Sequence, residues 1–385
     1  MSIPVYPLSA TLHPRRLLVR GVNWLGDAVM TTPALLRLRE ALPDTHITLL
    51  THEKLAGLWL GHPAVDEVIT FAAKEGVFSL ARRLRAGRFD TALALPNSTR
   101  TGLEVRLAGI PRRIGYAGGG RSWLLTQAVP RRAGVVEMRK RTAEEVRRLV
   151  GGSARGGPET GASAASHHLF HYLHLAAALG AKPELLAPVI AVSAEELAAV
   201  KAKFNLPAGL LIGLNAGAEY GPAKRWPAER FIATAKELQA RLHCGFIIFG
   251  GLADKALATQ IAEALGAERA VSGQRSAVSV VNLAGQTSLR ELCAALRACR
   301  VVLTNDTGPM HLAAAVGARV VGLFGSTSPE LTGPGLPGDG RHIFLRGDAP
   351  CAPCFLRECP VDFRCMNSLA VAAVADAVGR LAGED

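Results

Sequence analysis

The sequence lacks several features that would have fixed its class at once. No hydrophobic run approaches the roughly 20 residues that a membrane span needs. The opening MSIPVYPLSATLHPRR has no basic start leading into an apolar core, so no signal peptide is expected and the cytoplasm is the default compartment. Neither turn after the leading strand of each half carries the G-x-G-x-x-G of a dinucleotide site, which leaves an oxidoreductase with little support. No Asp-x-Asp stands where it would hold a metal–diphosphate. Aromatic residues are only 5% of the chain and are not interleaved with Arg and Lys, which counts against a surface that stacks bases.

What is present is a globular composition. Hydrophobic residues are 49% of the 385, enough for two cores. The net charge of +12 is unevenly spread. Residues 1–185 carry 25 Lys and Arg against 14 Asp and Glu, a balance of +11, and the remainder is +1. A basic first half suits an anionic partner; the plainer alternative is charge for solubility.

Short β-rich runs alternate with helical patterns. RRLLVRGV (15–22), HITLLTH (46–52), VDEVITF (65–71) and FDTALALP (89–96) read as strands, with a helix from about Ala28 to Ala41 and a basic amphipathic helix at VFSLARRLRAGR. A second series begins near Leu210, and a last helix runs from about Ser368 to Leu381. Apolar strands alternating with helices predict an α/β fold with parallel sheets. The expected division is a first domain at 1–190, with the Gly-rich tract 151–166 as a flexible loop, and a second at 191–385, its last helix a candidate to pack back on the first.

The run TNDTGPMHLAAAVGARVVGLFG (304–325) contains the Asp-Thr-Gly of an aspartic protease. That chemistry needs two facing carboxylates in β-lobes, and here Asp306 ends an apolar strand and a helix opens at Pro309. A strand–turn–helix offers instead the free N–H groups and positive end of a helix, an anion site. Thr307 adds a hydroxyl, Gly308 permits close approach, and His311 lies one turn in. An ordinary helix cap is the equal alternative.

AGAEYGPAKRWP (216–227) has the same placement. Lys224 and Arg225 put positive charge before a helix start, which is unfavourable unless it serves an anion. Two such loops fit a diphosphate, with solvated charge as the alternative. Asp254 is a candidate for a ribose or a plain helix-start carboxylate. In the first half, Asp27 follows Gly26 at a strand's C-terminal end, as a base for a hydroxyl or as an N-cap. His167, His168, His171 and His174 have spacings open to a metal, but an exposed polar face explains them better. Cys244, Cys293 and Cys299 read as buried small residues. Cys351, Cys354, Cys359 and Cys365 are either packing thiols, with an occasional disulfide, or a structural metal site.

Taken together, NWLGDAVMTTPALLRLRE, AEYGPAKRWPAERF and NDTGPMHLAAAVGARVVGLFG resemble glycosyltransferase family 9, the ADP-heptose:lipopolysaccharide heptosyltransferases, in the family's order from about 17 to 366. The tail CAPCFLRECPVDFRCM looks most like the heptosyltransferase II branch, although Val361-Asp362-Phe363 stands where that branch would have Gly-His. The resemblance implies a GT-B architecture, two Rossmann-like domains facing across a cleft, the first for acceptor and the second for nucleotide-sugar. It implies Asp27 as general base and Lys224 on the departing diphosphate. It places Thr307 and Gly308 N–H groups on the phosphates, Asp306 on sugar hydroxyls, and His311, Arg225 and Gly217 around the donor. It implies ADP-heptose as donor, no required cofactor or metal, and no nucleic acid. The acceptor would be the anionic lipopolysaccharide inner core, which would receive its second heptose, reached by peripheral contact with the cytoplasmic face of the inner membrane. A GT-B transferase or epimerase using another nucleotide-sugar is the alternative.

Overall fold

The computed structural model describes residues 13–136, 138–152, 164–266 and 279–383. The strands are β1 (Arg16–Arg20), β2 (His46–His52), β3 (Glu67–Phe71), β4 (Thr91–Ala94), β5 (Arg112–Tyr116), β6 (Gln127–Val129), β7 (Leu211–Asn215), β8 (Gly245–Ile248), β9 (Val280–Asn282), β10 (Val301–Asn305), β11 (Arg319–Phe324) and β12 (Ile343–Arg346). The helices are α1 (Leu25–Ala41), α2 (Val77–Arg85), α3 (Thr99–Leu107), α4 (Ala143–Gly151), α5 (Leu169–Ala177), α6 (Ala194–Lys203), α7 (Ala228–Leu242), α8 (Lys255–Gly266), α9 (Leu289–Ala298), α10 (Gly308–Ala315), α11 (Pro329–Thr332), α12 (Arg364–Asn367) and α13 (Val371–Ala382).

Two compact units result, one of residues 1–135 and 165–190, the other of 136–164 and 191–385. Each holds a parallel six-stranded sheet, ordered β3-β2-β1-β4-β5-β6 in the first and β12-β11-β10-β7-β8-β9 in the second. Both are the order 3-2-1-4-5-6 of a Rossmann-like fold, so the crossover reverses between β1 and β4, and between β7 and β10. This is the α/β construction of GT-B enzymes. From sequence, residues 136–164 belong to the first domain; contacts group the described residues of this stretch with the second unit, where Val146 of α4 joins its core. The last helix, α13, packs on α7, β10 and β11 within that same unit. Most of the tract 151–166 lies outside the described residues.

The strands at the reversal are buried throughout: β7 and β10 expose no residue, and Leu17, Leu18 and Val19 of β1 are fully covered. That explains their continuous apolar runs, which a sheet covered on both faces requires. Helix α1 begins at Leu25, a turn earlier than its sequence suggests, and continues through Pro33. The proline removes the N–H that would bond the Val29 carbonyl; the Thr32 hydroxyl donates to that carbonyl instead, at 2.8 Å. Among the described residues no helix is long and apolar enough to cross a membrane.

Candidate active site

In the first unit, β1 leads through Asn23 and Trp24 into α1. Trp24 occupies the N-cap position in extended conformation and makes no side-chain cap bond. Asp27 is the third helical residue, in the first turn, where the helix dipole favours a negative charge. Its carboxylate accepts from the Tyr172 hydroxyl at 3.0 Å and lies 3.6 Å from Nε2 of His168. The N-cap alternative for Asp27 therefore does not hold: its contacts are with α5 and the turn that precedes it.

The histidines of this segment are not an exposed polar face. His167 and His174 are buried. His168 stacks on His171, and His171 stacks on Tyr116 with centroids 4.0 Å apart. Burial first, then the neighbouring His168 and His174, pushes His171 down to about 3, so it is neutral. Burial also lowers His168, against the pull of Asp27. Across the crossover, Asn97 after β4 accepts from Arg121 at 2.7 Å and meets His171 Nε2 at 3.2 Å. Beneath these loops Arg20 of β1 pairs with Glu104 of α3 at 3.0 Å, both side chains almost fully buried. The Arg20 guanidinium lies over the Phe71 ring, and Arg100 takes the second Glu104 oxygen at 2.9 Å.

In the second unit the loops after β7 and β10 meet. Lys224, in a single turn of 3-10 helix (Pro222–Lys224), places Nζ 2.6 Å from Oδ2 of Asp306. Asp306 is buried and also accepts from Thr327 at 2.6 Å. Two strand-ending asparagines brace the pair of loops. Asn215 donates to Thr304 and Thr307, and Asn305 accepts from the Trp226 N–H while donating to the Ala216 carbonyl. Thr307 is the N-cap residue of α10 and makes no side-chain cap bond. The cap alternative thus fails for Thr307, and Asp306 is engaged by Lys224 and Thr327. Gly308 opens α10 and His311 is buried one turn in.

Gly217 sits against Asp254: a Cβ there would fall 2.4 Å from its carboxylate carbon. Asp254 also accepts from the Gly251 N–H and lies 3.5 Å from Arg225. Gly217, Arg225 and Asp254 therefore form one patch beside the Lys224 turn. Pro227 is the N-cap of α7.

The cysteine-bearing tail braces the same turn. The Arg357 carbonyl accepts from the Ala223 N–H at 3.0 Å, and the Arg357 side chain donates to the Tyr220 carbonyl at 2.6 Å. Tyr220 in turn donates to the Phe355 carbonyl at 2.8 Å. Gly221, at φ +152°, packs so tightly that a Cβ would lie 2.4 Å from that Arg357 oxygen. Cys351, Cys354 and Cys365 are buried in the second unit's core and Cys359 is half-buried; all four are free thiols. Burial pushes the Cys365 thiol up to about 12. Among the described residues no group of three or more His, Cys, Asp or Glu could hold a metal. Cys244, Cys293 and Cys299 are buried thiols.

Sequence alone did not single out Tyr172, Thr327, Asn215 or Asn305. The asparagines carry a signal that could have found them: each ends an apolar strand whose neighbour ends the same way.

Residues 160–363 match glycosyltransferase family 9 (heptosyltransferase). The chain is similar to lipooligosaccharide heptosyltransferase 2 of Haemophilus ducreyi, 31% identical over 83% of this chain and 86% of that protein. It is 30% identical to lipopolysaccharide heptosyltransferase 2 of Salmonella typhimurium, over 83% and 85%. Among solved structures it resembles ADP-heptose lipopolysaccharide heptosyltransferase II of E. coli, with 26% identity, a TM-score of 0.72, and coverage of 95% of this chain and 98% of that one.

Proposed function

The chain belongs to glycosyltransferase family 9, the heptosyltransferases, and from that premise we propose that it moves heptose from ADP-heptose to a hydroxyl of the lipopolysaccharide inner core, adding the second heptose, with inversion. The observation that carries the donor side is the Lys224–Asp306 pair, set where the sheet order reverses and beside the start of α10. A cation and a helix N-terminus at such a crevice suit a diphosphate.

In this mechanism Asp27 takes the proton of the acceptor hydroxyl as its oxygen attacks the anomeric carbon. The bond from that carbon to the diphosphate breaks, and ADP leaves with the electron pair. Lys224 and the N–H groups of Thr307 and Gly308 meet the charge that develops on the leaving phosphate, a preorganised electrostatic contribution. Asp306 holds heptose hydroxyls, His311 lies near the phosphates or sugar, and Arg225 and Gly217 shape the donor's surroundings. With these groups, no metal or cofactor is required. The basic first half suits an anionic acceptor presented at the cytoplasmic face of the inner membrane, where each nearby Lys or Arg contributes roughly 1 kcal/mol. Nucleic acid has no part.

Isothermal titration of ADP and UDP into the wild type and Lys224→Ala tests the donor side. Selective ADP binding, weakened by the substitution, is expected. Preference for UDP would move the enzyme to another nucleotide-sugar, and binding of neither would remove the diphosphate site.

A further inference from the structure

We propose that Tyr172 and His168 are positioning residues for the Asp27 carboxylate: Tyr172 holds Oδ1, His168 holds the Tyr172 phenol, and Oδ2 is left to take the acceptor's proton. This rests on Asp27 being the base, as proposed above.

Tyr172 is 3% exposed, and its hydroxyl donates to Oδ1 of Asp27 at 3.0 Å. A buried phenol needs a partner, and here the partner is the reactive group itself. Burial, reinforced by the negative charge of Asp27, raises Tyr172 well above its ordinary value, so it keeps its proton and remains a donor. A phenol has one proton. With that proton committed to Asp27, His168 Nε2, 3.1 Å from the phenol oxygen, must be the donor in that contact. The tautomer is thereby fixed as Nε2–H, and the same nitrogen stands 3.6 Å from Oδ1.

The clamp is rigid because the stack behind it is. The His168 ring lies on His171, with centroids 5.2 Å apart and planes 16° apart. His171 lies on Tyr116, whose hydroxyl donates at 2.7 Å to the carbonyl of His171. His174 Nε2 meets the Pro130 carbonyl at 3.2 Å. α5 is therefore tied to β5 and to the segment after β6 while it presents Tyr172 and His168 to α1. One neutral donor, itself held by the His168 N–H, orients the oxygen without cancelling the carboxylate's charge, as a lysine or arginine would. The Asp27 side chain remains 30% exposed, so the carboxylate is not closed off from an acceptor hydroxyl. The proton moves from the acceptor hydroxyl to Oδ2 as the new carbon–oxygen bond forms, and it leaves to solvent afterwards.

The test is a double-mutant cycle on the whole enzyme with Asp27→Asn, Tyr172→Phe and the pair, reading kcat, both KM values, ADP affinity and the unfolding midpoint. Asp27→Asn should lower kcat by about 10²–10⁴-fold. Tyr172→Phe should lower kcat on the order of 10–100-fold, with both KM values and ADP affinity within about twofold of wild type. The pair should be no slower than Asp27→Asn. His168→Gln, whose amide can mimic the Nε2 donor, should keep more activity than His168→Ala. A Tyr172→Phe enzyme with wild-type kcat, or losses that multiply in the pair, would overturn the clamp and leave the base intact. Full activity in Asp27→Asn would overturn the base, and the clamp with it.

Discussion

The Lys224 ammonium and the Asp306 carboxylate join the loop after β7 to the end of β10, 2.6 Å apart across adjacent strands. If the diphosphate binds Lys224, it competes with Asp306 for the same cation. The two partners should therefore respond oppositely. Lys224→Ala should weaken ADP by about tenfold, the scale of one charge-assisted hydrogen bond. Asp306→Asn should tighten ADP while slowing transfer, because the competing anion is gone but the sugar contact is lost. Calorimetry and steady-state rates on the two variants check this; weaker ADP binding by both would deny the competition.

Glu104 is expected to be essential for stability rather than chemistry. It is buried with Arg20 at 3.0 Å and Arg100 at 2.9 Å. Removing one member of a buried pair strands the other charge, at about 3–5 kcal/mol. Glu104→Ala should therefore unfold at clearly lower denaturant than wild type, with a smaller loss for Arg100→Ala, whose side chain is 43% exposed.

Acid should destabilise the protein before its carboxylates titrate. Burial holds His62 and His342 at about 4 and His171 at about 3, against 6.5 when unfolded. Below pH 6.5 the unfolded chain binds protons that the folded chain refuses, so stability is complete above that pH and falls through the window down to 3–4. Each histidine contributes up to about 1.4 kcal/mol per pH unit there. His62→Asn keeps an acceptor for the Ala64 N–H that His62 now receives and removes the titration. Its unfolding midpoint should drop less between pH 7.5 and pH 5 than that of wild type.

Chelation should leave most of the activity. The proposed charge acceptors are Lys224 and backbone N–H groups, and those do not depend on a cation. An assay with and without excess EDTA checks this; a complete loss restored by magnesium would require a metal-bridged diphosphate.

The parts of the fold that could be read in advance are those buried on both faces. LIGLN and VVLTN declare themselves as strands because no charged residue interrupts them and the first three or four positions of each are apolar or glycine. β5 escaped notice because it opens with Arg112 and Arg113, whose charge argues against a sheet. The structure resolves this by turning Arg113 back onto the carbonyls of Leu124 and Ile110. At the candidate site, Lys224 was legible because positive charge at a helix start is a local anomaly, and Asp306 because it stands between an apolar strand and a helix start. Tyr172 was not, since its contact with Asp27 spans 145 residues and no local pattern marks which residue of α5 faces α1. The histidines misled for the same reason: polar residues on a helix suggest water, and the ring of Tyr116, far off in sequence, supplies the cover.

The brace from the tail gives the Lys224 turn its shape. Three hydrogen bonds from residues 355–357 and a glycine with no room for a side chain fix a loop that begins with Tyr220. The turn is thus like a hinge pin cut to a template more than 130 residues away. A substitution at Gly221, or one that shifts the chain around Phe355, touches no ligand group yet changes where the ammonium stands. The tolerance of this enzyme to change is therefore tighter along its C-terminal loop than the loop's irregular backbone suggests.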